Sequence, residues 1–103
     1  MKKQKIKEKL LQRAFELFTQ EMYERLREKE EDGYTGWGKE SDIPRNDIIQ
    51  RASQKLTYCA LHKRNTHQDD VDIANFMMML WYRNSGYRIL RRELKEKSVA
   101  VTQ

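Results

Sequence analysis

The sequence predicts an all-α protein, a small helical bundle of three main helices with a short fourth at the C-terminal end. Apolar residues recur at three- and four-residue steps through three long stretches, the period of a helix that buries one face. One proline and four glycines in 103 residues leave little turn material for a sheet. No hairpin alternation and no internal repeat stand out.

The first helix is expected over about residues 3–32. Ile6, Leu10, Ala14, Phe18, Met22 and Leu26 fall at four-residue steps, and Leu11, Phe15, Leu17 and Tyr23 widen the stripe. Nothing interrupts it before Gly33, a natural C-terminal stop. The run Gly33-Tyr34-Thr35-Gly36-Trp37-Gly38 then reads as a tight loop displaying two aromatics.

A second helix is expected over 46–64, with Asn46, Ser41 or Asp42 as its cap and Pro44 near its start. Ile48, Ile49, Ala52, Leu56, Cys59 and Ala60 form its apolar face. The third, over 67–84, opens with the capping-box pattern Thr66-x-x-Asp69. Asp69, Asp70 and Asp72 place negative charge where the helix dipole favours it. From Val71 to Tyr82 it is apolar on nearly every side, as a central helix would be. Asn84-Ser85-Gly86 reads as its end or a kink, and Tyr87, Ile89, Leu90 and Leu94 mark a short helix over 87–96. The organisation expected is one domain over 1–97 and a flexible tail over 98–103.

Composition excludes several classes. A 12.5 kDa chain holds one core, not two lobes around a cleft. The single cysteine, Cys59, cannot close an internal disulfide. The longest apolar run, Phe76 to Tyr82, is far short of the roughly 20 residues of a membrane span, so no membrane partner is expected. No apolar segment of signal-peptide type follows the basic start. The net charge of +5 is unevenly spread: residues 1–13 carry six bases and one acid, and 14–44 carry four bases and nine acids. Such alternation suits segments that meet within a bundle or across subunits, and a homo-oligomer is expected from the excess of apolar surface on the third helix.

Asp70-Val71-Asp72-Ile73-Ala74-Asn75-Phe76-Met77-Met78-Met79-Leu80-Trp81 resembles the Asp/Asn/Phe/Met helix of MazG-like, all-α nucleotide pyrophosphohydrolases. Gly33 to Trp37 is similar to a Gly-Trp loop of small phage- and prophage-encoded members, and the resemblance spans roughly residues 15–84. It implies a cytoplasmic protein of a bacterial host, of phage or mobile-element origin. It also implies Mg²⁺, held in active members by a Glu-Glu-x-x-Glu triplet and a Glu-x-x-Asp pair, because the hard ion needs converging oxygens.

Here Asp69-x-x-Asp72 matches the pair, but the triplet falls on Gln50, Arg51 and Gln54, and residues 49–67 hold no Asp or Glu. The expectation is a degenerate site, with Arg51 or Lys55 either paired to Asp69 and Asp72 or binding phosphate directly. The chain would then be a nucleotide- or protein-binding module with no cofactor and no assigned catalytic residue. Asn75, Tyr34 and Trp37 join Arg51 and Lys55 as ligand candidates, the aromatics by stacking a base.

Two alternatives stay open. An active Mg²⁺-dependent (deoxy)nucleotide pyrophosphohydrolase would use Asp69, Asp70 and Asp72 with Glu28 or Glu31. A phage-type inhibitor or adaptor would dock on a host protein or nucleic acid through Arg88, Arg91, Arg92 and Lys95, a basic face that Arg83 precedes. Cys59, His62 and His67 fit no zinc spacing.

Overall fold

A computed structural model describes residues 2–102, with side-chain surroundings for 3–97. The chain is all-α: α1 (Lys2–Glu31), α2 (Arg45–His62), α3 (His67–Trp81), a π-helical turn (Tyr82–Gly86) and α4 (Tyr87–Thr102). Among the described residues there is no strand. Among these residues, too, no helix is long and apolar enough to cross a membrane.

α3 is the common partner. α1 and α2 each pack on it, and neither packs on the other. Its apolar character serves that double contact: Val71 and Met79 are buried, as are Ile48 and Ala52 of α2. The rest of the predicted α2 face is less covered, with Leu56 and Ile49 exposed and Cys59 half-buried. Only the C-terminal third of α1 approaches the body, through Met22, Arg25, Leu26 and Lys29, while residues 3–20 are all exposed. The molecule is accordingly open, with a radius of gyration of 17.3 Å, against about 13 Å for a compact chain of this length.

Local chemistry sets the ends. Gly33, at φ +98°, closes α1, and the Tyr34 N–H reaches back 2.8 Å to the Lys29 carbonyl. α2 starts differently from the sequence expectation. Pro44 is its cap residue and offers no side-chain bond, and the Glu40 carboxylate instead accepts the Arg45 N–H at 2.9 Å. α2 stops at His62 because Lys63 turns left-handed at φ 50°. The α3 capping box is complete: Asp69 N–H donates to Thr66 Oγ1 (3.1 Å) and Thr66 N–H to Asp69 Oδ2 (2.9 Å).

Of the two readings of Asn84-Ser85-Gly86, an end or a kink, the end does not occur. The helix widens by one π turn and continues directly into α4. Gly86 is what allows this, since a Cβ there would stand 2.5 Å from the Trp81 ring. The backbone of α4 also runs past residue 96, where the apolar pattern ends, to Thr102. The mobility expected of 98–103 falls on side chains outside the described residues.

The loop between α1 and α2 is pinned to the π turn. Trp37 meets Tyr82 edge-on, with ring centres 5.3 Å apart. Arg83, only 7% exposed in its side chain, donates to the Ile43 carbonyl at 2.8 Å and pairs with Glu40. It is therefore a loop anchor and not part of an open basic face.

Candidate functional site

The site is assembled where three helices converge on Asp72. Asp69 and Asp72 lie three residues apart on α3 and so share one face. Asp72 is 7% exposed. From α2, Lys55 Nζ stands 2.7 Å from Asp72 Oδ2 and 3.5 Å from Asp69 Oδ1. From α1, Arg25 Nε donates to Asp72 Oδ1 at 3.0 Å, and its Nη1 lies 3.2 Å from Glu28. With its amide oxygen turned toward Arg25, Gln68 accepts from Nη1 and Nη2 at 2.9 and 3.1 Å.

Both Asp72 oxygens are thus engaged by cations, and Asp69 spends one oxygen on the Thr66 N–H. Burial alone would raise the Asp72 pKa, but hydrogen bonds from Arg25 and Lys55, with their charges, outweigh it and hold the carboxyl below its ordinary range. Asp69 is lowered first by the Thr66 backbone and side chain and then by Lys55. Burial works against the Lys55 ammonium, and Asp72 and Asp69 more than offset it. Arg25 is raised chiefly by its bond to Asp72.

Beside this cluster lies an open cavity of about 650 Å³, lined by Lys29, Tyr34, Arg51, Lys55, Asp69 and Asp72, with Asp32 at its edge and Leu26, Tyr58, Phe76 and Met79 as its apolar wall. Arg51 does not reach the aspartates. Its guanidinium sits over the Tyr34 ring, 5.2 Å from the centre. The Tyr34 hydroxyl is buried and has no hydrogen-bond partner. Burial raises its pKa, against the opposing Arg51 charge.

Asn75 also lines the cavity, but its Nδ2 donates to the Met22 carbonyl at 2.9 Å and so ties α3 to α1. Trp37 lies apart from the cavity, against Tyr82. Glu31 and Asp70 are exposed, and Asp70 accepts from Asn65. Among the described residues, no three Asp, Glu, His or Cys side chains converge closely enough to hold a metal ion. His67 pairs with Glu21 at 2.8 Å, and His62 stacks on Tyr58, so neither turns to Cys59. Arg88, Arg91, Arg92 and Lys95 are all exposed on α4.

Arg25 is the residue that sequence reasoning missed. Beside Glu21 and Glu28 it resembles one more member of a solvated pair. The available signal was its position seven residues after Phe18, a charge inside the apolar stripe.

Comparison with known proteins brings no relative: no protein-family model, no curated protein and no solved structure matches the chain.

Proposed function

We propose that the chain is a metal-independent binding module for a small phosphorylated ligand with an aromatic ring, of nucleotide type, seated in the cavity between α2, α3 and the loop after α1. The observation that carries this reading is the double engagement of Asp72 by Lys55 and Arg25. A divalent ion needs those oxygens free. Here two cations already hold them, and the acids that could assist, Glu28 and Asp69, are occupied as well. The donor set does not fit magnesium.

Charge balance narrows the ligand. The charged side chains that line the cavity balance, Lys29, Arg51 and Lys55 against Asp32, Asp69 and Asp72, and beside it Arg25 is matched by Glu28. A balanced site suits a monophosphate better than a triphosphate, whose charge would go unmatched. Arg51 offers a planar fork to phosphate oxygens, and the unpaired Tyr34 hydroxyl supplies a further donor. The volume lies within the range of about 300–1,000 Å³ usual for small-molecule sites. This reading retains the MazG-like resemblance as a binding protein whose metal site has been rebuilt as an ion-pair cluster.

Calorimetric titration of nucleoside mono-, di- and triphosphates in excess chelator is the test. Binding of a monophosphate at micromolar affinity, weakened at least tenfold by Arg51→Ala, is expected. Binding that requires added magnesium or manganese would refute the metal-free reading, and no binding by any member of the panel would refute the site.

A second reading is supported by the four exposed bases of α4, which could follow a nucleic-acid backbone. Affinity for duplex or single-stranded DNA that falls steeply between about 50 and 200 mM salt, and is lost in Arg88→Glu/Arg91→Glu, would favour it.

A further inference from the structure

The N-terminal two-thirds of α1 has no role in the site above, and its sequence is not that of a solvated helix. Ile6, Leu10, Leu11, Phe15, Leu17 and Phe18 are 37–65% exposed. They form one continuous apolar stripe on an arm that leaves the body, and it explains much of why the chain is so open. Stripes of this size on soluble proteins mark contact surfaces.

We infer that this arm is covered by a second copy of the chain, with the two α1 helices pairing antiparallel over residues Lys3 to Glu24. The spacing supports a helix-pair seam. Lys3, Lys7, Leu10, Ala14, Leu17, Glu21 and Glu24 follow steps of four and three, the rhythm of a heptad seam. The seam also has a polarity: basic at one end, apolar in the middle, acidic at the other. A parallel pair would set lysine on lysine and glutamate on glutamate. An antiparallel pair sets Lys3 and Lys7 of each copy against Glu24 and Glu21 of the other, and Leu10 against Leu17. The surrounding charge agrees. Residues 1–13 carry six bases and one acid, and residues 14–31 carry three bases and six acids.

The body holds a matching receptor. Beside the C-terminal third of α1, where it meets the start of α3, lies a shallow groove whose rim includes Glu21, Glu24 and Glu28. An antiparallel arm from the second copy would bring its lysines to that groove.

The area is also sufficient. The 22 residues from Lys3 to Glu24 extend about 33 Å. Half the perimeter of a cylinder about 11 Å across, over that length, is about 570 Å² from each partner, about 1,100 Å² in all, above the roughly 1,000 Å² expected of a specific interface.

Multi-angle light scattering and chemical crosslinking decide the matter. The intact chain is expected to be a dimer at micromolar concentration. Leu10→Glu/Leu17→Glu is expected to be monomeric with its helical circular dichroism retained, since residues 3–20 are all exposed in their own chain. In a Cys59→Ser background, Lys3→Cys together with Glu24→Cys should give a covalent dimer on oxidation, and either change alone should not. Lys3→Glu/Lys7→Glu should weaken the dimer at least tenfold, and adding Glu21→Lys/Glu24→Lys should restore it. A strict monomer at about 50 μM overturns the proposal. Covalent dimer from Lys3→Cys alone overturns the antiparallel arrangement, as does a dimer that survives Leu10→Glu/Leu17→Glu.

Discussion

Lys55 Nζ lies 2.7 Å from Asp72 Oδ2, while Arg25 takes the other carboxylate oxygen, Oδ1, at 3.0 Å. Helices α1, α2 and α3 therefore all contribute to a cluster whose only buried anion is Asp72. Asp72→Ala leaves Lys55 only the longer contact to Asp69 and Arg25 only the exposed Glu28, and it should cost about 2 kcal/mol, below the roughly 3–5 kcal/mol of a buried charge left with no partner. Lys55→Met should cost less, because Arg25 stays with the carboxylate. Urea unfolding checks both, and equal costs would contradict this division of roles.

Acid should destabilise the protein through the same pair of aspartates. Their folded pKa values are depressed, so the unfolded chain takes up protons first as pH falls. The stabilisation is complete above the unfolded carboxyl value of about 3.9 and is lost as pH drops through the lower folded values. Thermal unfolding should be nearly flat from pH 7 to 5 and fall below about pH 4. In Asp72→Asn that acid slope should be shallower.

Tyr34→Phe separates stability from binding. The buried hydroxyl has no partner, so removing it should stabilise the free protein by about 1 kcal/mol. The same change should weaken monophosphate binding if the hydroxyl is a ligand donor. A rise in Tm with unchanged affinity would remove Tyr34 from the proposed site.

Lys63→Gly should raise stability by about 1 kcal/mol, because Lys63 holds a left-handed conformation at φ 50° that glycine adopts without a Cβ clash. The position ends α2 and lies outside the cavity lining, so ligand affinity should not change. Denaturant midpoints with an unaltered slope would check it.

Gly86→Ala should do the reverse. The added methyl would meet the Trp81 ring at 2.5–2.8 Å, forcing the indole outward or the π turn to rearrange. A loss of at least about 2 kcal/mol is expected, within the range for overpacking, with tryptophan emission shifted to the red. Unchanged emission and stability would show that the ring does not lie on Gly86.

Local chemistry was the most legible part of the sequence. The three long helical stretches, the Gly33 stop and the Thr66–Asp69 box all act between near neighbours, so spacing alone reveals them. The π turn was hidden because Gly86 acts as space for Trp81, and glycine in a sequence reads first as a stop. At the site, the missing acids between Ile48 and Gln68 pointed toward Lys55. They could not reveal Arg25, whose partner lies 47 residues away. Nor could they show that Arg51, one helical turn from Lys55, would be drawn to Tyr34. Both depend on how α1 and the loop cross α3, which no local pattern encodes.

Because α1 and α2 meet α3 but not each other, assembly has a natural order. α2 and α3 are sequence neighbours joined by a short link, so their contacts close a small loop at low entropic cost. α1 must dock across a longer separation. The α2–α3 hairpin is thus the expected folding nucleus, and Asp72 would acquire Lys55 before Arg25. Substitutions at Ala52 or Val71 should slow refolding, and substitutions at Leu26 should mainly hasten unfolding.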